Sequence, residues 1–160
     1  MPRRVRQVSD AYRHRGYECL CGNLRMAARA LTLLYDMHLG SHGLTVNQLA
    51  VLWSVLAFEG ATMGRIATAV VMDKTTVTRN IAALAAMGLV RPRRGDDGRE
   101  RVVTATARGR RIFCDAMPAW EAAQREAGDV IGRARFESLV VQTRRMARAL
   151  STGAQHESAR

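Results

Sequence analysis

The sequence predicts a mainly α chain that carries one small β-hairpin, and three observations predict it. Apolar residues recur at helical spacing in four segments before Gly88 and in two after Thr106. Between those blocks the period switches once, to the alternation of extended backbone. The run Gly95, Asp96, Asp97, Gly98 in the middle of that stretch is turn chemistry for a hairpin.

Residues 1–17 are rich in arginine and lack periodicity, which predicts a basic arm without a fixed structure of its own or one that packs only on a partner. From Leu20 the residues Leu24, Ala27, Leu31, Leu34 and Leu39 form the stripe of a long amphipathic helix that Gly40 and Gly43 end. Thr45 and Gln48 stand in the capping-box relation, and Leu49, Leu52, Trp53 and Leu56 predict the buried stripe of a second helix closed by Gly60. Thr62 caps a short third helix with Met63, Ile66, Ala67 and Val70. Asp73 is the expected N-cap of a fourth, lined inside by Val77, Ile81 and Leu84 and stopped by Gly88. Leu89 to Arg94 and Arg101 to Thr106 read as strands. Thr106 then caps a fifth helix through Ile112, Phe113, Met117, Trp120 and Ala123, in which Pro118 predicts a kink and Gly128 and Gly132 bracket the end. A last helix places Phe136, Leu139, Val140, Thr143, Met146, Ala147 and Leu150 on one stripe, and residues 152–160 read as a disordered tail.

Three central helices followed by a hairpin make a winged helix-turn-helix, over residues 44–106. The flanking helices, in residues 18–43 and 107–151, have apolar stripes but only one another to pack on, so the expectation is a helical dimerisation region shared by two chains. An all-helical monomer closed on itself is the alternative.

At 160 residues the chain has room for one domain, or a small one joined to an oligomerisation element, and not for a large two-domain enzyme. Its 25 basic against 14 acidic residues give a formal charge of +11, which favours a polyanionic partner. Lys74 is the only lysine, so the arginine excess equally fits a GC-rich coding genome, and the placement of the charges must decide. Met1 to Arg15 holds five arginines with no apolar export core behind them, which places the protein in the cytoplasm. The longest apolar stretch, Ile81 to Val90, falls short of the roughly 20 residues a bilayer needs.

Charge placement points to duplex DNA. Lys74, Thr75, Thr76, Thr78, Arg79 and Asn80 crowd the first half of the fourth helix, whereas Ala82, Ala83, Ala85 and Ala86 fill the second. Donors and acceptors at the end that enters a major groove, with an arginine to fork onto guanine, are what base-edge readout requires. In the hairpin, Arg93, Arg94, Arg99 and Arg101 surround a tip with Asp96 and Asp97. Arginine gains from the potential of a narrow minor groove, and Asp97 pairs with an arginine to hold the loop while Arg99 reaches the DNA. A polar solvated helix face and a solvated charged turn are the plainer alternatives.

Two stretches carry a resemblance. Ile66 to Val90, IATAVVMDKTTVTRNIAALAAMGLV, and Asp97 to Gly109, DGRERVVTATARG, are similar to the helix-turn-helix and the wing signature of the multiple antibiotic resistance regulator (MarR) family. With Leu44, Thr45 and Gln48 the resemblance covers about residues 19–150, and Ala105 stands where the family usually has a larger aliphatic residue. It implies a homodimer on a pseudo-palindromic operator, repression of nearby genes, and a small-molecule effector between the dimerisation and DNA-binding parts. Cys21, 24 residues before Thr45, resembles in placement the reactive cysteine of the family's hydroperoxide-sensing branch, with Cys114 as a possible resolving thiol. This chain has Val46 and no tyrosine near Thr45, where that branch orients its thiol.

The expected effector is an aromatic or lipophilic acid in a pocket near Met37, His42, Trp53 and Met117, with an arginine nearby, although such residues also serve as core. Cys19, Cys21 and Cys114 are expected as thiols in a reducing compartment. His14, His38, His42 and His156 are scattered, so no metal and no cofactor is expected. No paired carboxylates, nucleophile with its base, or phosphate loop indicates an enzyme. A helical adaptor that binds only protein would not need the wing arginines.

Overall fold

The structure, a computed structural model, describes residues 18–94 and 101–157. The N-terminal arm, the hairpin tip with Asp97 and Arg99, the side chain of Arg101 and the last three residues lie outside the described part. The element order is α1 (Leu20–Leu39), a 3-10 turn (Gly40–His42), α2 (Val46–Ala57), β1 (Ala61–Thr62), α3 (Met63–Val70), α4 (Lys74–Ala86), β2 (Val90–Arg94), β3 (Arg101–Ala105), α5 (Ala107–Ile131) and α6 (Arg133–Glu157). No helix among the described residues is long and apolar enough to cross a membrane.

Local hydrogen bonds explain where each helix starts. Thr45 and Gln48 close a reciprocal capping box on α2, and the hydroxyls of Thr62 and Thr106 accept from the N–H of Arg65 and Gly109. Asp36 of α1 adds a longer-range anchor, its carboxylate accepting the N–H of Val46 at 2.6 Å. Pro118 leaves α5 a single helix from Ala107 to Ile131. The final helix continues to Glu157, past the end expected at Ser151. The Ser151 hydroxyl bonds back to the carbonyl of Ala147 at 2.7 Å, and Thr152 to Glu157 contain no proline, only Gly153, whose cost in a helix is about 1 kcal/mol.

The three strands form an antiparallel sheet in the order β1-β3-β2. Its register sets Thr62 opposite Val102 and Val102 opposite Arg93, so the start of α3 lies beside the root of the hairpin. The core gathers Leu49, Leu52 and Val55 of α2, Ile66 of α3, Val77 and Leu84 of α4, Leu89 and Val103, each worth about 1.5–3 kcal/mol when buried. Only Ala116 of α5 reaches that core fully buried, and no described residue of α6 is buried. Helix α1 is held to α5 by Tyr35, which donates to Gln124 at 2.6 Å, and by the 2.8 Å pair of His38 with Glu126. Burial raises the Tyr35 phenol above its ordinary 10.0, which keeps it a neutral donor.

Candidate nucleic-acid interface

The turn between α3 and α4 fixes how α4 leaves the core. Val71 ends α3 in the left-handed region, at φ 52° and ψ 45°, where its N–H bonds back to Ala67 and Thr68. A β-branched residue there costs about 1–3 kcal/mol. Asp73 then caps α4: one carboxylate oxygen accepts the N–H of Thr76 at 2.9 Å and the other accepts its hydroxyl at 2.6 Å. Those bonds, the Thr76 hydroxyl first and its N–H second, hold the Asp73 carboxyl below its ordinary 3.8. A carboxyl with a lowered pKa stabilises the fold above its unfolded value and stops doing so as pH falls through the folded one. Asp73→Asn is therefore expected to flatten the acid side of the stability curve below about pH 4, measured as thermal midpoint against pH.

Most of the expected contact set is exposed. Lys74, Thr75, Thr78 and Arg79 stand in solvent on α4, and Arg93 and Arg94 on β2, the edge strand where Pro92 is tolerated, are also exposed. Thr76 and Asn80 are half-buried: Thr76 is committed to the cap, and the Asn80 amide donates to the Thr76 carbonyl at 2.9 Å. The Thr78 hydroxyl donates to the Lys74 carbonyl at 2.7 Å, leaving its methyl and the hydroxyl lone pairs for a groove.

Two basic residues were not singled out by sequence reasoning. Arg91 is exposed on β2 beside Arg93, and its signal was simply the run of arginines in that strand. Arg65, on the first turn of α3, stacks its guanidinium 4.0 Å over the ring of Phe58. That contact joins two elements across a turn and holds an exposed cation in one orientation.

The expected effector residues do not come together. A cleft of about 300 Å³ lies between α2 and α5, lined by Val46, Leu49, Ala50, Trp53, Ser54 and Trp120. Trp53 lines it, 41 % exposed rather than buried in the α2 stripe, with Phe113 and Trp120 at 5.2 and 5.5 Å in edge-on contact. Met37 is 67 % exposed on α1, Met117 packs against the core, and His42 is half-buried in the 3-10 turn; none of the three lines the cleft. No arginine among the described residues lines it either. Met37 was suggested by residue type alone, and it falls on the solvent face of α1 because α1 meets α5 through its Tyr35 side.

Cys19, Cys21 and Cys114 are exposed thiols, and the Cys19 sulfur accepts the N–H of Gly22 at 3.4 Å as the cap of α1. No three His, Cys, Asp or Glu side chains gather in metal-binding geometry among the described residues.

A capped helix that projects polar residues beside an arginine-rich strand, on a three-helix core closed by a small sheet, defines a winged-helix DNA-binding protein. The MarR family's sequence profile matches residues 42–100. The Mycobacterium tuberculosis transcriptional regulator MosR, solved in complex with DNA, is 32 % identical, with 86 % of this chain and 97 % of that one covered at a TM-score of 0.68. Two more distant structures share the fold. They are BpsR of Bordetella bronchiseptica, with 22 % identity, 81 % and 94 % covered, TM-score 0.73, and CouR of Rhodococcus jostii RHA1 bound to p-coumaroyl-CoA, with 21 % identity, 84 % and 93 % covered, TM-score 0.69. No curated protein matches the sequence. This chain belongs to the MarR family of DNA-binding transcriptional regulators.

Proposed function

We propose that the chain works in the cytoplasm as a homodimer that binds a pseudo-palindromic operator in double-stranded DNA, represses the adjoining genes, and is released by a small aromatic or lipophilic acid. The observation that carries DNA recognition is the exposed row Lys74, Thr75, Thr78 and Arg79 on a helix anchored by the Asp73 cap, next to the arginines of β2. MosR, at 32 % identity, is a complex with DNA, which supports the same partner here. Release by a ligand is supported by two relatives of the same fold, BpsR, whose DNA binding 6-hydroxynicotinic acid regulates, and CouR with p-coumaroyl-CoA.

Gel-shift titration tests the roles. Arg79→Ala is expected to weaken a specific duplex by about 1–3 kcal/mol and a scrambled one hardly at all. Arg99→Ala, in the hairpin tip, is expected to weaken both alike and to lower the salt slope by about 0.9 for each phosphate left without its cation. Wild-type binding by both variants would refute the assignment.

The exposure of Cys21 favours keeping one second reading, a thiol-based sensor of oxidants on the same fold. Treatment with an organic hydroperoxide is then expected to lower DNA affinity in the wild type and not in Cys21→Ser, whereas an equal loss in both removes Cys21 from that role.

A further inference from the structure

We infer that Arg65, held against Phe58, contacts a phosphate strand of duplex DNA, and that Phe58 positions it. The strand is the one between the major groove entered by α4 and the minor groove faced by the hairpin. This rests on the DNA-binding reading above and adds a contact that neither the recognition helix nor the hairpin supplies.

The chain fixes both partners of the stack. Phe58 caps α2, its N–H bonding back to the carbonyl of Ser54 at 3.2 Å, and Glu59 and Gly60, at φ 52° and 124°, then turn the chain into β1. A Cβ on Gly60 would come within 3.1 Å of the Thr104 methyl, so this turn lies tight against β3. On the other side the Thr62 hydroxyl accepts the N–H of Arg65 at 3.2 Å, which sets the first turn of α3. The guanidinium carbon then lies 4.0 Å from the centre of the Phe58 ring. Stacking covers one face of the guanidinium and leaves the N–H groups along its edge free to donate, and Arg65 stays exposed. Among the described residues no carboxylate pairs with it. A cation whose rotamer is already chosen loses little freedom when an anion arrives.

Its place names the anion. Thr62 lies opposite Val102 and Val102 opposite Arg93, so the start of α3 borders the root of the arginine-rich hairpin. Helix α3 has 8 residues, about 12 Å of length, and its far end leads through the turn at Val71 to the Asp73 cap and Lys74. Arg65 therefore stands between the two elements proposed to enter neighbouring grooves. Neighbouring grooves share one phosphate strand, and the first helix of a helix-turn-helix crosses it. A fixed cation there meets phosphate oxygens and not base edges, so it adds affinity without sequence preference.

Fluorescence anisotropy of the full-length protein on two duplexes tests this, one enriched from random sequence by the wild type and one scrambled, with affinity followed against NaCl concentration. Arg65→Ala is expected to bind both about tenfold more weakly and to lower the salt slope by about 0.9 for each chain bound. Arg65→Lys is expected to keep the wild-type slope. Phe58→Leu is expected to keep it too, while weakening both duplexes about two- to fivefold. In the Arg65→Ala background Phe58→Leu is expected to cost no further DNA affinity, a coupling that a purely structural role of the ring would not produce. The inference is overturned if Arg65→Ala retains the wild-type slope, if it loses affinity on the enriched duplex alone, or if the lost affinity tracks a fall in thermal midpoint that Arg65→Lys shares. Additive effects of the two substitutions would remove Phe58 from the positioning role. Failure of the operator reading looks different: the wild type would enrich no sequence, while a lower slope for Arg65→Ala on the scrambled duplex would still support the phosphate contact.

Discussion

Gly109→Ala is expected to leave the chain less stable by about 3 kcal/mol or more, the upper end of what overpacking costs. A Cβ at this position would lie 2.0 Å from the Leu89 carbonyl oxygen and 2.9 Å from its carbon. Both are backbone atoms, so no rotamer change relieves the clash. Leu89 is also buried, and its carbonyl already accepts the Thr106 N–H at 3.0 Å and the Thr106 hydroxyl at 3.2 Å. That hydroxyl in turn accepts the N–H of Gly109 and contacts the Gly88 carbonyl at 2.7 Å. Making room would pull α5 off the root of the hairpin and break this junction, where the DNA-binding part joins the helices that follow it. A loss of about 3 kcal/mol lowers the thermal midpoint by about 6–12 °C in a chain of this length. A melt that moves by only a few degrees would show that α5 can shift without breaking the junction.

Gly109 also shows what the sequence could and could not tell. As a helix-starting glycine it was visible through the family's wing signature, but the reason only glycine fits is an approach to a residue 20 positions earlier. The caps were legible for the opposite reason. Thr45 with Gln48, Thr62, Asp73 and Thr106 each bond within three residues, so residue type and spacing carry nearly all the information. Strand β1 was missed because two residues have no period; Ala61 and Thr62 become a strand only by pairing with Val103 and Val102. In the candidate site, the exposed α4 residues were legible as a local excess of polar groups over alanine, and those of β2 as arginines flanking the hairpin tip. The effector residues were not, since which methionine or tryptophan shares a cleft depends on how α1, α2 and α5 are set against one another. Arg65 over Phe58 is likewise a product of packing between elements.

Replacing both Leu139 and Val140 by Asp is expected to convert the proposed dimer to a monomer and to weaken operator binding by about 10²–10⁴-fold. The reason is the state of α6. It has 25 residues, yet none of the described ones is buried, and Leu139, Val140, Val141 and Leu150 are 43–68 % exposed. A helix gains little stability from propensity alone and depends on burying an apolar face. On α1, Leu20, Met26, Leu33 and Met37 expose still more apolar surface, which together marks an interface. A second copy supplies the cover, and joining two recognition helices makes the second half-site contact intramolecular, the source of the expected factor. Carboxylates at Leu139 and Val140 would have to be buried unpaired in that contact, whereas the core around Leu52 and Leu84 is untouched. Sedimentation velocity gives the oligomeric state, and titration of a two-half-site duplex against a single half-site gives the coupling. A variant that still sediments as a dimer, or a monomer that holds the full operator as tightly as wild type, would mean that α6 does not set the spacing of the two recognition helices.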